Sequence, residues 1–125
     1  MQSAFHCIYF HVSYIMQQVW RGVMTEPAVD INEKVKEFRN HPDAVLLDVR
    51  EDVEYQSGHI PGATLQPLSR IDQIEGAVPD KNRKIYVYCH SGKRASEAVY
   101  YMHAMGYTNL ENIGGIKDYT GEIEK

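Results

Sequence analysis

The segment Ile85-Tyr86-Val87-Tyr88 runs without a break into Cys89-His90-Ser91-Gly92-Lys93-Arg94, and a helical apolar stripe begins directly after it. Ile85–Tyr88 is short, rich in β-branched and aromatic residues and flanked by polar ones, which is the pattern of a buried strand. Beyond the loop, Ala95, Ala98, Val99, Met102 and Met105 share one face of a helix spanning Ala95–Met105. Gly106 closes that helix as a C′ glycine does. A strand that feeds a helix through a short loop is the building unit of an α/β fold, and it constrains the architecture more than any other stretch of the chain.

The remaining segments agree with that unit. Ile31, Val35 and Phe38 lie at helical spacing over Ile31–Phe38, with Asp30 placed as N-cap. His41-Pro42-Asp43 breaks the pattern. Ala44–Val49 is a continuous apolar run suited to a parallel strand covered on both faces. Glu51–Ser57 reads as a short helix ended by Gly58, and His59–Gly62 as a loop entering a short strand at Ala63–Leu65. Ser69–Ile74 reads as a helical piece and Val78–Asn82 as a turn. Asn109–Ile113 is a last short strand, Gly114-Gly115 a tight turn, and Ile116–Tyr119 a final helical turn. Strands alternate with helices, so a mostly parallel sheet with helices on its faces is expected.

The chemistry concentrates at Cys89. Ligands of such folds bind beyond the carboxyl ends of the strands, and Cys89 stands at one. The N–H groups that open the following helix have no partner within it and point back at the loop. Together with the helix dipole they favour negative charge, whether a thiolate or a bound oxyanion. Lys93 and Arg94 add positive charge, and Gly92 lets the loop curl so that successive N–H groups face inward. Thiols in such surroundings titrate well below about 8.5. A cysteine ending a strand also serves as a small buried apolar residue, but His, Ser, Gly, Lys and Arg following in one short loop point instead to a nucleophile or an anion site.

Other functions are disfavoured. The 125 residues suffice for one domain with one core. A net charge of −4 gives no general surface for nucleic acid or for an anionic membrane. The two cysteines, Cys7 and Cys89, form neither a disulfide framework nor a CxxC pair, and free thiols fit a reducing cytoplasm. No metal or organic cofactor is expected.

Residues Met1–Met24 differ in character, mixing Phe5, Ile8, Tyr9, Phe10, Ile15 and Trp20 with His6, His11, Gln17 and Gln18. The first basic residue is Arg21 and the apolar run is interrupted, which suits neither a secretory signal nor a membrane span of about 20 apolar residues. Two readings stand. The segment is an amphipathic helix that packs on the domain or a partner. Alternatively, Trp20-Arg21-Gly22 reflects a purine-rich ribosome-binding sequence, translation starts at Met24, and 1–24 is not native. The domain is therefore taken as 25–125, with 1–24 an extension of doubtful nativeness. His6, Cys7 and His11 lack a fourth ligand for zinc.

Four motifs in order, Leu47-Asp48-Val49-Arg50-Glu51, Gly58-His59-Ile60-Pro61-Gly62-Ala63, Tyr86–Ala95 and Gly114-Gly115-Ile116, resemble those of single-domain rhodanese-like proteins across Thr25–Lys125. The resemblance implies a three-layer α/β sandwich whose central, mostly parallel, five-stranded sheet is flanked by helices. It implies that Cys89 accepts a sulfane sulfur as a persulfide, with His90, Ser91, Gly92, Lys93 and Arg94 forming the loop around it. Asp48 would support that loop by hydrogen bonding, with Arg50 near the same edge, and His59 would be mainly structural. The partners implied are a small anionic sulfur donor, thiosulfate or a persulfide, and a thiophilic acceptor: cyanide in an assay, a thiol or protein cysteine in the cell.

Three alternatives remain at this level. A phosphatase or arsenate reductase of the same general fold also uses a Cys-to-Arg loop, but with five intervening residues; here only the four residues His90–Lys93 intervene. A persulfide carrier or regulatory module would keep the fold without turnover. A redox-sensing thiol would need a resolving cysteine, for which only Cys7 is present.

Overall fold

The structure, a computed structural model, describes residues 29–125. The expectations for Met1–Met24, including His6, Cys7 and His11, fall outside the described residues. Helix α1 spans Ile31–Arg39, and the Asp30 side chain accepts the Asn32 N–H at 3.0 Å, the capping bond its position predicts. Strand β1 is Val45–Asp48 and helix α2 is Asp52–Ser57. Strand β2, Ala63–Leu65, leads into a 3₁₀ segment at Leu68–Gln73 and helix α3 at Ile74–Ala77. Strand β3 is Ile85–Cys89, helix α4 Lys93–Ala104 and strand β4 Leu110–Gly115, followed by a 3₁₀ turn at Ile116–Asp118.

The sheet order is β2-β1-β3-β4 and every pairing is parallel. The expected fifth strand is absent among the described residues. The sequence itself offers four extended apolar segments there; the fifth came from the family resemblance alone, with no stretch to build it. Gly114-Gly115, expected as a tight turn, instead completes β4. Gly115 is extended (φ −131°, ψ 145°) and pairs with Cys89.

Both faces of the sheet are covered, as continuous apolar strands require. Side chains alternate along β3: Ile85, Val87 and Cys89 face Ile71, Ile74, Ala95, Ala98 and Met102. Tyr86 and Tyr88 face the other way, onto Ile31, Val35 and Ile60. This alternation puts the Cys89 side chain in the layer of α4, the helix that follows its own loop. Among the described residues no helix is long and apolar enough to cross a membrane.

Candidate active site

Cys89 ends β3 with only 1% of its surface exposed. Its Sγ accepts the Gly92 N–H at 2.9 Å, so the loop folds back onto the sulfur within three residues. Gly92 permits this by adopting φ +100°, a left-handed conformation that costs glycine little. Helix α4 begins at Lys93, two residues earlier than its apolar stripe suggested, because Gly92 occupies the N-cap position without offering a side-chain cap. The loop proper is therefore His90–Gly92, and Lys93 and Arg94 sit in the first helical turn beside the unpaired N–H groups.

The loop rests on the end of β4. Asn112 Nδ2 donates to the Gly92 carbonyl at 3.0 Å while its Oδ1 accepts the Gly114 N–H at 2.9 Å, pinning loop and strand together. The Lys117 N–H donates to the His90 carbonyl at 3.2 Å. Gly115 lies so close that a Cβ there would stand 2.0 Å from the His90 carbonyl oxygen and 2.5 Å from Ser91 Cα. Its requirement for glycine is thus one of space, since its backbone conformation suits any residue. An open hollow on this side is lined by Ser91, Gly92, Lys93, Asn112, Gly114 and Asp118, among others.

Arg94 is committed elsewhere. Its Nη1 and Nη2 donate to Glu54 Oε1 and Oε2 of α2 at 2.6 and 2.8 Å, a two-pronged pair that is about one-third exposed on each side. The Arg94 guanidinium holds the Glu54 carboxyl at about 2, well below its usual 4.5. Glu54 Oε1 also accepts the Glu51 N–H at 3.2 Å, closing the first turn of α2. Next to it, Asp52 binds Arg70 through two contacts of 3.1 and 3.2 Å, and Ser69 Oγ donates to Glu51.

Asp48 and Arg50 form a buried pair under the adjacent strand end. Asp48 is fully buried and Arg50 is 5% exposed. Arg50 Nη2 donates to Asp48 Oδ2 at 2.8 Å and to the Gly58 carbonyl at 2.7 Å. The bonds made by the Asp48 carboxylate run to Arg50, not to the Cys89 loop. Tyr88, beneath the Arg50 guanidinium, accepts the Ile60 N–H at 3.2 Å, and burial pushes its hydroxyl pKa far up. The His59 ring stacks on Tyr55 with centroids 3.7 Å apart, and its Nδ1 lies 3.0 Å from the Tyr55 carbonyl. Asp48, Arg50 and His59 therefore join into a layer that shapes the 58–60 loop, while Gly92 is the residue whose N–H meets the Cys89 sulfur.

Glu54, Asn112 and the wall formed by Gly115 were not identified from the sequence. Glu54 and Asn112 meet the loop only through tertiary contact, 40 and 20 residues distant from their partners. The Glu51-x-x-Glu54 spacing signals a helix start and nothing about Arg94. Among the described residues no group of three or more His, Cys, Asp or Glu side chains comes together as a metal site.

A family model described as "Rhodanese-like domain" matches residues 32–122. The thiosulfate sulfurtransferase PspE of Escherichia coli is 44% identical over 73 residues, covering 58% of this chain and 70% of that protein. YqhL of Bacillus subtilis is 34% identical over 119 residues, covering 94% of this chain and 86% of that protein. A solved rhodanese of E. coli, with anions, is 40% identical and superposes with a TM-score of 0.61 over 66% of this chain and 98% of its own.

Proposed function

The chain belongs to the rhodanese-like domain family, and from that premise we propose that it is a sulfurtransferase that carries a sulfane sulfur on Cys89. The observation that carries the reading is the Gly92 N–H lying 2.9 Å from Cys89 Sγ at the start of a helix of 12 residues. That donor, the helix dipole and the first-turn N–H groups favour negative charge on sulfur both before and after loading.

The reaction is covalent catalysis in two halves. The Cys89 thiolate attacks the outer sulfur of a donor such as thiosulfate. A new S–S bond forms at Cys89, the donor's S–S bond breaks, and sulfite leaves with the electron pair. An acceptor then attacks the outer persulfide sulfur and restores the thiolate. Cyanide takes this role in an assay, giving thiocyanate; a small thiol or a protein cysteine takes it in the cell. The free thiol suits a reducing compartment, and we place the activity in the cytoplasm.

Two features favour sulfur over phosphate chemistry. The loop has four residues between Cys89 and Arg94, one fewer than the loop that wraps a tetrahedral oxyanion. Arg94 is also turned onto Glu54 at 2.6 and 2.8 Å instead of being held ready for such an anion. Intact-mass measurement after incubation with thiosulfate tests the reading. Wild type should gain one sulfur, lose it on adding cyanide, and Cys89→Ser should gain none. Equal gain by Cys89→Ser, or none by wild type from any sulfane donor, overturns it.

A further inference from the structure

Both arginines of the α2–α4 side are taken up by carboxylates from a single turn. Glu54 holds Arg94 and Asp52 holds Arg70, each through two contacts. Arg94 stands in the first turn of α4, two residues beyond the Gly92 whose N–H meets the Cys89 sulfur, so its charge would otherwise favour an anion approaching the sulfur. The other loop cation, Lys93, is exposed and lines the hollow on the Gly114 side together with Asp118. Thiosulfate is a dianion, and a guanidinium with no other partner would hold it through strong charge-assisted bonds. An incoming dianion here has to compete with Glu54 for Arg94.

From this arrangement we infer that Glu54 is a positioning residue that sets donor preference: by occupying Arg94, it tunes the Cys89 site to a low-charge organic persulfide, R–S–SH, over dianionic thiosulfate. This rests on the sulfur-transfer reading above and specifies its donor. In the loading step the Cys89 thiolate attacks the outer sulfur of R–S–SH. The Cys89–S bond forms, the donor S–S bond breaks, and R–S⁻ leaves. The product Cys89–S–SH keeps the donor's proton, so charge and atoms balance. The Cys89 sulfur is oxidised and the donor's inner sulfur reduced, with no outside oxidant.

Glu54→Gln removes the competing charge while keeping a side chain of the same length. A partly exposed pair of this kind is worth up to about 1 kcal/mol, which corresponds to a change of about two- to five-fold. The test measures Cys89 loading by intact mass against donor concentration, with thiosulfate and with cysteine persulfide, whose amino and carboxyl charges cancel. Wild type should half-saturate at lower cysteine persulfide than thiosulfate. Glu54→Gln should lower the thiosulfate value about two- to five-fold, make it salt-dependent, and leave the persulfide value in place. Adding Arg94→Gln to that variant should cancel the gain. A second readout needs no sulfur transfer: the ratio of Cys89 alkylation rates by anionic iodoacetate and neutral iodoacetamide, followed on the Cys89 peptide. It should rise by the same factor in Glu54→Gln. Equal shifts for both donors and an unchanged alkylation ratio would overturn the role of Glu54 while leaving sulfur transfer standing. A changed alkylation ratio with no loading from either donor would retain the electrostatic role and overturn the sulfur-transfer reading together with the donor assignment.

Discussion

Gly115→Ala should separate folding from catalysis more cleanly than any substitution in the loop itself. The added Cβ would stand 2.0 Å from the His90 carbonyl oxygen, 2.4 Å from its carbon and 2.5 Å from Ser91 Cα. Ordinary contact needs about 3.5 Å, so strand and loop must part by about 1.5 Å. Neither side is a flexible side chain that can swing away. The strand is fixed by its pairing to β3, so the loop takes most of the movement. A displacement of that size stretches the Gly92 N–H contact, now 2.9 Å, beyond hydrogen-bonding range. Overpacking of this kind costs about 1–3 kcal/mol of stability, while a misplacement of about 1 Å at a reacting group costs roughly 100-fold in rate. Gly114→Ala is the control. Gly114 has φ +103° but open space, with only the Val29 carbonyl oxygen at 3.9 Å, so alanine there meets conformational strain of about 1–2 kcal/mol and no clash. Urea unfolding should find the two variants similarly destabilised. Stopped-time intact mass should find Cys89 loading far slower in Gly115→Ala alone. A folded Gly115→Ala that loads at the wild-type rate would refute the claim that the Gly115 wall sets the path of the loop.

Other consequences can be checked separately. Asp48→Asn leaves the Arg50 guanidinium buried without its charge partner and should lower unfolding stability by about 3–5 kcal/mol, read by denaturant titration. Asn112→Ala removes the bonds to the Gly92 carbonyl and the Gly114 N–H; a loss of about 1–3 kcal/mol and slower loading are expected, and unchanged loading would deny Asn112 its clamping role. The Glu54 carboxyl is depressed to about 2 in the folded chain. Its pairing therefore stabilises the protein above the unfolded carboxyl value of about 4.3, and that contribution disappears as pH falls towards 2. Because the pair is partly exposed, Glu54→Gln should cost no more than about 1 kcal/mol at pH 7 and progressively less below about pH 4, measured by paired unfolding curves.

The parts of the fold legible in the sequence are those governed by local pattern. Asp30 caps α1, Ile85–Tyr88 form a strand, and the face carrying Ala95, Ala98 and Met102 is buried against the sheet. The start of α4 is not legible in the sequence because its N-cap is a glycine at φ +100°, and neither a capping side chain nor an acidic first turn announces it. Gly114-Gly115 reads as a turn in sequence because paired glycines ordinarily supply positive φ. Here the second serves the approach of another backbone, which only the folded arrangement reveals. Cys89 and its loop could be found by order along the chain. The carboxylate on Arg94 could not, since Glu54 is 40 residues away and its own neighbours explain it fully as a helix-starting residue.

The wall behind the loop also dictates an order of events in time. Cys89 and the Gly92 N–H that meets it are made together, but the backbone that sets their path arrives later, with Asn112, Gly115 and Lys117. β3 also pairs with β1 on its other side, across the segments that intervene between them. Such non-local parallel pairings are slow to form. A chain still emerging from the ribosome thus presents Cys89 before the strand that backs its loop has been made and docked. The path of the loop around Cys89 is therefore fixed only once β4 has docked.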